Sequence, residues 1–292
     1  MKVSFLILNY KSYKDTIKVV NELLDFENTT FDYDIVIVDN KSPNASYEII
    51  NNEFKTTSRV IVIEASYNGG YSKGNNVGLH YLQAHRPNYV CIMNNDVHFG
   101  KDIIERMIEL DQHKKDAAFF SPIQELPNGK PAIFQSLRQP TFLDDVKSYM
   151  PIIYSRKRKK WQYEPTDINN KLQEVDIVPG ALLFIKFDKF ERMGFFDETT
   201  FLFCEERFTS HLVKEHGLKN YIVLNQTYLH EHSKTINTEA SKLNQLKWLH
   251  DGKIAFTKRF RKNATLKIMI LNILYQLKRL EIKTLLQIQR EK

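Results

Sequence analysis

The residues best placed to do chemistry stand where an apolar, strand-like pattern breaks into polar side chains. Residues 89–93 form such a pattern, and Asn94, Asn95 and Asp96 follow it. This order predicts a carboxylate at the C-terminal end of a buried strand, the edge at which open α/β sheets bind ligands. Mg²⁺ and Mn²⁺ are held by one or two carboxylates together with substrate phosphates, so Asp96 is a candidate metal ligand. The plain alternative is an N-cap of the next helix.

Two earlier strand patterns end in the same way. Residues 2–8 lead into Asn9, and residues 33–38 lead into Asp39. The carboxyl ends of parallel strands lie at one edge of a sheet, so we expect these polar side chains to meet there. A carboxylate suits an N–H donor of a nucleobase, whereas the local alternative for Asp39 is an Asx turn with the Ser-Pro that follows.

Residues 68–76 (NGGYSKGNN) combine three glycines and a lysine just before a predicted helix. Glycines permit close approach of the backbone to a ligand, and a helix N-terminus presents N–H groups to an anion. Lys73 would add a positive charge. The segment matches neither a Walker loop nor the dinucleotide-binding glycine pattern, and glycine-rich turns before helices also occur without any ligand.

Glu205 and Glu206 follow an unusual set of apolar residues, 195–196 and then 201–204. Burial raises the pKa of a carboxyl group and suits it to general-base work near neutral pH. Acidic residues are also favourable in the first turn of a helix, and both interpretations can hold for the same pair.

His230 and His232 stand at alternate positions in the last strand-like segment, so their side chains face the same side. Imidazole is a common ligand of divalent ions, although lone histidines are more often structural. The pair is a candidate only because other polar strand ends precede it.

The elements that position these residues alternate between strand and helix up to about residue 111. Repeated β-α-β units predict a parallel sheet with helices on both faces. The strands cover residues 3–8, 35–38, 59–64 and 89–93, and the helices cover residues 13–24, 46–54, 74–83 and 102–113.

Beyond this point the alternation weakens. Residues 142–170 are irregular and predict a mobile surface loop that carries the basic run 156–160. A Pro-Gly break interrupts the apolar segment 175–187, a loop and helix are predicted over 201–217, and residues 242–292 are expected to be helical.

Composition indicates a globular protein: 42% of the 292 residues are hydrophobic and 26% are charged. The net charge of +7 arises in the tail, because residues 253–292 hold eleven Lys or Arg against two Glu, so no nucleic-acid partner is expected. Cys91 and Cys204 give no disulfide framework, which favours a reducing compartment. We therefore expect a cytoplasmic protein, with peripheral contact to the inner face of the membrane as an option.

Taken in order, eight motifs resemble those of family-2 glycosyltransferases with the GT-A fold, in the branch of bacterial rhamnosyltransferase-like enzymes. The resemblance covers about residues 1–240. The motifs are LNY at 8–10, VDN-x-S at 38–42, NGGYSKGNN-x-G at 68–78, N-x-D at 94–96, PGA at 179–181, GFFDE at 194–198, EE at 205–206 and H-x-H-S at 230–233.

The resemblance implies inverting transfer of a sugar from a nucleotide diphosphate, UDP- or dTDP-linked by preference, to an acceptor hydroxyl. Asp96 and His232, with His230 as the alternative histidine, would hold Mg²⁺ or Mn²⁺. Glu206 would be the base and Glu205 would shape the site, although the choice between them stays open and Asp197 is a third candidate. The residues implied to bind the nucleotide sugar are Asn9, Asp39, Asn68, Gly70, Lys73, Asn75, Asn95 and Asp96.

This reading divides the chain into a GT-A catalytic domain, residues 1–240, and a basic amphipathic helical extension, residues 241–292. An apolar stripe over 266–288 predicts that the extension lies on an anionic membrane surface, or packs on the catalytic domain or a second subunit to form a homodimer. The acceptor would be a growing cell-surface polysaccharide or lipid-linked saccharide. Rival hypotheses are a nucleotidyltransferase and an inactive homologue that only binds sugar nucleotides.

Overall fold

The computed structural model describes residues 1–132, 138–150, 166–231 and 239–290. The basic run at 156–160 and His232 lie outside these ranges. Among the helices of the described residues, none combines the length and the apolar character needed to cross a membrane.

The first part of the chain forms the predicted parallel sheet, with strand order β3-β2-β1-β4. The predicted bounds of the first two helices are confirmed. The elements are β1 Lys2–Asn9, α1 Tyr13–Leu24, β2 Asp32–Asp39, α2 Ser46–Phe54, β3 Val60–Glu64, α3 Gly70–His85 and β4 Tyr89–Asn94.

The second part extends this sheet with mixed pairing. β8 runs antiparallel to both β4 and β6, whereas β9 is parallel to β6 and antiparallel to β5 and β7. The elements are β5 Val97–His98, α4 Lys101–His113, β6 Ala117–Glu125, α5 Phe142–Ser148, β7 Leu172–Val175, β8 Leu182–Lys186, α6 Phe187–Arg192, α7 Glu205–Glu215 and β9 Lys219–His230.

Helices cover both faces of the sheet because successive strand residues point to opposite sides. In β1, Phe5 and Ile7 join the core under α1, α2 and α4, whereas Leu6 joins the core under α3, α6 and α7. All three side chains are fully buried. Near-continuous apolar strands are expected for a sheet that is covered on both faces.

Two local predictions were wrong. Residues 142–148, predicted to belong to an irregular loop, form helix α5, because Thr141 and Asp144 make a reciprocal capping box. Helix α3 begins at Gly70 rather than residue 74, so the glycine-rich segment is largely the first turn of the helix.

The tail forms two helices, α8 Glu239–Phe260 and α9 Ala264–Arg290. They pack on the rest of the protein: the Phe256 and Phe260 rings lie 5.4 and 5.8 Å from the Phe208 ring of α7. His250 is buried and bonds to the Tyr149 hydroxyl at 2.7 Å and to Asn272 Oδ1 at 2.9 Å. The division into two domains stays a prediction.

Candidate functional site

The ends of β1, β2 and β4 meet at one edge of the sheet, as predicted. Asn9 and Asp39 are paired in register, and Asn9 Nδ2 donates to Asp39 Oδ2 at 2.7 Å. Thr16 Oγ1 donates to Asn9 Oδ1 at 2.8 Å, and Asn95 Nδ2 donates to Thr16 Oγ1 at 2.9 Å. Sequence reasoning missed Thr16, because a threonine inside a helix carries no strand-end signal.

Asp39 holds the loop after β2. The Ser42 backbone N–H donates to Asp39 Oδ1 and the Ser42 hydroxyl donates to Asp39 Oδ2, both at 2.8 Å. The local alternative foreseen for Asp39, a turn bonded to its own carboxylate, is therefore present. The role of Asp39 in binding a base stays a prediction.

Asp96 lies in the turn between β4 and β5 and is only 6% exposed. Its Oδ1 is 3.0 Å from His230 Nε2, and its backbone carbonyl accepts from the Glu231 N–H at 3.0 Å. The structure thus brings Asp96 together with His230, the alternative histidine, while the pairing of Asp96 with His232 stays a prediction.

This donor set fits an ion that takes most of its ligands from a substrate. Within the described ranges, no three His, Cys, Asp or Glu side chains are grouped so that they could hold a metal alone. Asp96 and His230 offer one carboxylate and one imidazole, which suits Mg²⁺ or Mn²⁺ completed by diphosphate oxygens. Burial, followed by the charges of Asp96 and Glu231, raises the pKa of Asp15, so this edge carries concentrated negative charge.

The N-terminus of α3 is already capped by the protein. The N–H groups of Gly69 and Gly70 donate to the side-chain oxygens of Asn40 and Asn68 at 3.2 and 3.1 Å. The Tyr71 N–H donates to the Phe201 carbonyl at 2.9 Å. Neighbouring polar groups thus satisfy these three N–H groups, and anion binding at this helix N-terminus stays a prediction.

Two of the glycines in α3 serve packing against the sheet. A Cβ at Gly74 would lie 2.5 Å from the Leu8 side chain, and one at Gly78 would lie 2.2 Å from the Leu6 side chain. Glycines spaced four apart lie on one helix face, so α3 approaches β1 closely. Much of the glycine-rich signal is explained by helix–sheet packing.

The other predicted residues of this segment lie on different sides of α3. Asn75 is buried and donates to the Tyr71 carbonyl at 3.0 Å, whereas its Oδ1 has no protein partner. Lys73 Nζ lies 3.4 Å from the Tyr67 hydroxyl, in an open cleft that Asn40 also lines. Lys73 is therefore placed to meet a ligand, and the contact itself stays a prediction.

The acidic pair begins α7 at a second, narrow pocket, lined by Tyr71, Gly180, Phe196 and both glutamates. Glu205 is buried, and its Oε2 has no protein partner. A Cβ at Gly180 would lie 3.2 Å from Glu206 Oε1, so the absence of a side chain there makes room for this carboxylate. The Tyr71 hydroxyl donates to the Gly180 carbonyl at 2.7 Å.

Desolvation governs the charge of this pair, as the apolar stretch before it suggested. Burial, followed by the charge of Glu206, raises the pKa of Glu205 well above its usual range. Burial also raises the pKa of Glu206, whereas the Arg207 guanidinium acts in the opposite direction. Repulsion between the two carboxylates is reciprocal, so burial and proximity together disfavour a state in which both are ionised.

The acidic pair and Asp96 belong to the same end of the sheet. Ala181, next to Gly180, accepts a hydrogen bond at 2.9 Å from the backbone N–H of Asn94, the last residue of β4. The third acidic candidate, Asp197, is held by an ion pair with Arg259 of the tail helix α8.

Comparison with known proteins agrees with this architecture. Residues 4–194 match the model of "Glycosyl transferase family 2". The low-salt glycan biosynthesis hexosyltransferase Agl10 of Haloferax volcanii is 22% identical over 213 residues, or 70% of this chain. The match spans 59% of that relative's length.

Three solved glycosyltransferase structures share the fold. GalNAc-T7, solved with UDP, GalNAc and Mn²⁺, has a TM-score of 0.62 and 12% identity over 87% of this chain and 48% of its own. The mannosyltransferase PcManGT of Pyrobaculum calidifontis was solved with GDP-Man and Mn²⁺. It has a TM-score of 0.57 and 12% identity, and the match covers 99% of this chain and 79% of PcManGT. S. aureus TarS 1–349 has a TM-score of 0.53 and 15% identity, and the match covers 93% of this chain and 69% of TarS 1–349.

These structures are GT-A glycosyltransferases, so the expected fold is confirmed. With the family match extending over well over half of the sequence, the chain belongs to glycosyl transferase family 2.

Proposed function

We propose that the chain is an inverting glycosyltransferase that moves a sugar from a nucleotide-diphosphate sugar to an acceptor hydroxyl. The observation that carries this proposal is the desolvated acidic pair beside the carboxyl end of β4, the strand that leads to Asp96. A base and a candidate site for the donor diphosphate thus border one sheet edge, which is what transfer between two bound substrates requires.

Glu206 is the proposed base. Its carboxylate takes the proton of the acceptor hydroxyl while that oxygen bonds to the anomeric carbon, and the bond from this carbon to the diphosphate breaks with inversion. Glu205 keeps its proton in its buried position and shapes the pocket. A divalent ion held by Asp96 and a histidine would offset the charge that develops on the departing diphosphate.

The donor and acceptor are proposed at the level of chemical class. UDP- or dTDP-linked sugars, including a rhamnosyl donor, are favoured. The fold neighbours were solved with UDP, UDP-GlcNAc and GDP-Man, so GDP-linked sugars belong in the test as well. The proposed acceptor is a saccharide or lipid-linked saccharide of a growing cell-surface glycan, which agrees with the glycan biosynthesis named for the Haloferax relative.

Thermal unfolding against a panel of nucleotides and sugar nucleotides, with and without Mn²⁺, tests the proposal. A ligand at 100 times its Kd should stabilise the protein by about 2.7 kcal/mol. Stabilisation by one nucleotide family that requires Mn²⁺, followed by release of that nucleoside diphosphate during turnover with a saccharide acceptor, is the expected result.

Two other outcomes would redirect the assignment. Donor binding without turnover on any acceptor favours the inactive homologue. Formation of a sugar nucleotide from a nucleoside triphosphate would establish a nucleotidyltransferase, although residues 8–12 lack the glycine-rich loop that such enzymes usually carry after the first strand.

The proposed location is the cytoplasm, at the inner face of the membrane. The two partners predicted for the tail, an anionic membrane surface and a second subunit, remain proposals.

A further inference from the structure

Helix α9 buries one face and leaves a large apolar face in solvent. Leu271 is fully buried, and the Tyr275 ring stacks on His250 with a centroid distance of 4.1 Å. Five exposed side chains, which we call the α9 stripe, are Leu266 at 57%, Met269 at 54%, Ile273 at 55%, Leu277 at 60% and Leu280 at 62%. Leu285, at 52%, is also exposed but lies outside the stripe.

The members of the α9 stripe share one side of the helix. Their spacings of three, four, four and three residues keep them within about 80° of arc at roughly 100° per residue, over about 21 Å of helix. A helix face that points into water normally carries polar side chains. Five large apolar side chains in line therefore indicate a surface that is covered when the protein works.

The charges around the α9 stripe are almost all positive. Arg279 and Lys283, spaced four apart and both exposed, follow one flank. On the other side Lys267 is half-buried, with its Nζ 5.6 Å from the centroid of the Phe142 ring. Glu281 is the one acidic residue between positions 264 and 290 of the sequence, and Lys278 Nζ donates to its Oε1 at 2.7 Å. This surface therefore favours a partner that is apolar along the centre and anionic beside Arg279 and Lys283.

A second copy of the chain does not match this description. Residues 264–290 hold five Lys or Arg against Glu281 alone, so each helix carries a net charge of +4. Packing two copies through the stripe would bring these charges together, whichever way the helices run. Like charges opposite one another in close contact are destabilising, so the flanks oppose self-association through the stripe.

We propose that α9 lies on an anionic phospholipid surface, with the α9 stripe inserted between head groups and Arg279 and Lys283 against the phosphates. Apolar insertion and attraction to anionic lipid together determine how strongly such a helix binds. This inference concerns binding and stands independently of the proposed transfer reaction.

Co-sedimentation of the full chain with lipid vesicles tests the apolar part. We expect binding to vesicles that contain phosphatidylglycerol, and weak binding to vesicles of phosphatidylcholine alone. Ile273→Asp should lower the partition constant more than tenfold. The matched control is Ile168→Asp, the same change at a 69% exposed isoleucine outside the tail, which should leave binding within about twofold of the parent.

Neutralising the flank tests the electrostatic part. Arg279→Gln with Lys283→Gln should weaken binding to anionic vesicles about thirtyfold, whereas Lys55→Gln with Lys130→Gln, two exposed lysines elsewhere, should have little effect. Raising the ionic strength from about 0.1 to about 1 M should weaken parental binding, since the Debye length falls from about 10 to about 3 Å.

The proposal is overturned if the parent chain ignores anionic vesicles, or if the stripe and flank variants bind as the parent does. Light scattering on the same samples covers the competing occupant. A dimer that Ile273→Asp converts to a monomer, without any vesicle binding, would assign the α9 stripe to a second copy. Unchanged thermal unfolding of each variant would show that a loss of binding does not reflect loss of the fold.

Discussion

Gly252 of the tail helix α8 lies directly against Cys204, the residue before the acidic pair. A Cβ at position 252 would lie 2.8 Å from the Cys204 Cβ and 2.9 Å from its Sγ. Phe203 and Cys204 both have a φ of +68°, so the backbone that delivers Glu205 adopts a conformation that non-glycine residues rarely take. The tail helix therefore supports the turn that sets the position of the candidate base.

Gly252→Ala should lower the kcat of sugar transfer about tenfold to a hundredfold, because the added methyl group must push the Cys204 turn and displace the acidic pair. Stabilisation by the donor should change little. The double variant Gly252→Ala with Cys204→Gly removes the opposing atoms at a position whose φ suits glycine, and should recover most of the rate. Failure of this rescue would show that the contact does not set the position of the base.

Glu206→Gln should reduce transfer by about a hundredfold to ten-thousandfold, since the amide cannot accept the acceptor's proton. Donor-induced stabilisation should persist, because the donor contacts are proposed to lie elsewhere on the sheet edge. Glu205→Gln should retain far more activity, since a protonated carboxyl group and an amide are both neutral. Full activity in Glu206→Gln, with loss in Glu205→Gln, would reverse the assignment.

The raised pKa of Glu205 predicts a stability effect that needs no substrate. A buried carboxyl group whose pKa is raised on folding supports the folded state below its unfolded pKa, and this support is lost as the pH rises towards the folded pKa. Glu205→Gln should therefore stabilise the protein at neutral pH, with a gain that grows by at most about 1.4 kcal/mol for each pH unit above the unfolded pKa. The gain should vanish near pH 4.

Urea denaturation across this pH range gives the comparison, with Glu53→Gln as the control at an exposed carboxyl. If both variants changed the free energy of unfolding equally, the claim that Glu205 is desolvated would be contradicted. A gain that grew on acidification would have the wrong sign for a raised pKa.

Sequence patterns predicted the parallel half of the sheet because its strands are buried on both faces. Phe5, Leu6 and Ile7 are all fully buried, so the apolar run is continuous and its end at Asn9 is visible. The same reasoning placed Asp39 and Asp96 at the strand ends, where they lie. Capping and packing were harder to foresee: α5 depends on a reciprocal bond between Thr141 and Asp144.

The glycine-rich segment shows why spacing alone misled. Gly74 and Gly78 must lack a side chain because β1 lies so close. Gly70 must lack one because of the carbonyl of Phe201, which is 131 positions later in the chain. No local pattern reports a contact at that separation. The apolar residues before it and the family resemblance both indicated the acidic pair, but neither indicated the contact between Gly252 and Cys204.

Gly70→Ala should be severely destabilising, because the new Cβ would lie 1.8 Å from the Phe201 carbonyl oxygen at a backbone φ of +81°. Gly217→Ala separates strain from contact, since Gly217 has a φ of +66° but nothing within 4 Å of its Cβ position. We expect Gly217→Ala to lower the free energy of unfolding by about 1–2 kcal/mol, through the left-handed conformation alone. Gly70→Ala should lower it clearly more. Equal losses in urea denaturation would mean that the Phe201 contact yields without cost.

Asp96→Asn should remove the Mn²⁺-dependent part of donor stabilisation. The amide oxygen can still accept a hydrogen bond from His230 Nε2, which lies 3.0 Å from Asp96 Oδ1, so the turn should keep its shape. A neutral amide is a poor ligand for a hard cation. At a donor concentration of 100 times the parental Kd, most of the roughly 2.7 kcal/mol of stabilisation should be lost, and Mn²⁺ should no longer change it.

Asp102→Asn, the same substitution at an exposed carboxylate on α4, is the matched control and should respond to Mn²⁺ as the parent does. Isothermal titration calorimetry of Mn²⁺ into donor-saturated protein measures Mn²⁺ binding directly and needs no turnover. If Asp96→Asn keeps the full Mn²⁺ response, the ion is held elsewhere, and Asp96 serves only to hold His230. If the parent binds donor equally with and without Mn²⁺, the base and the donor pocket must act without an ion, and the proposed role of Glu206 is then judged on its own variant.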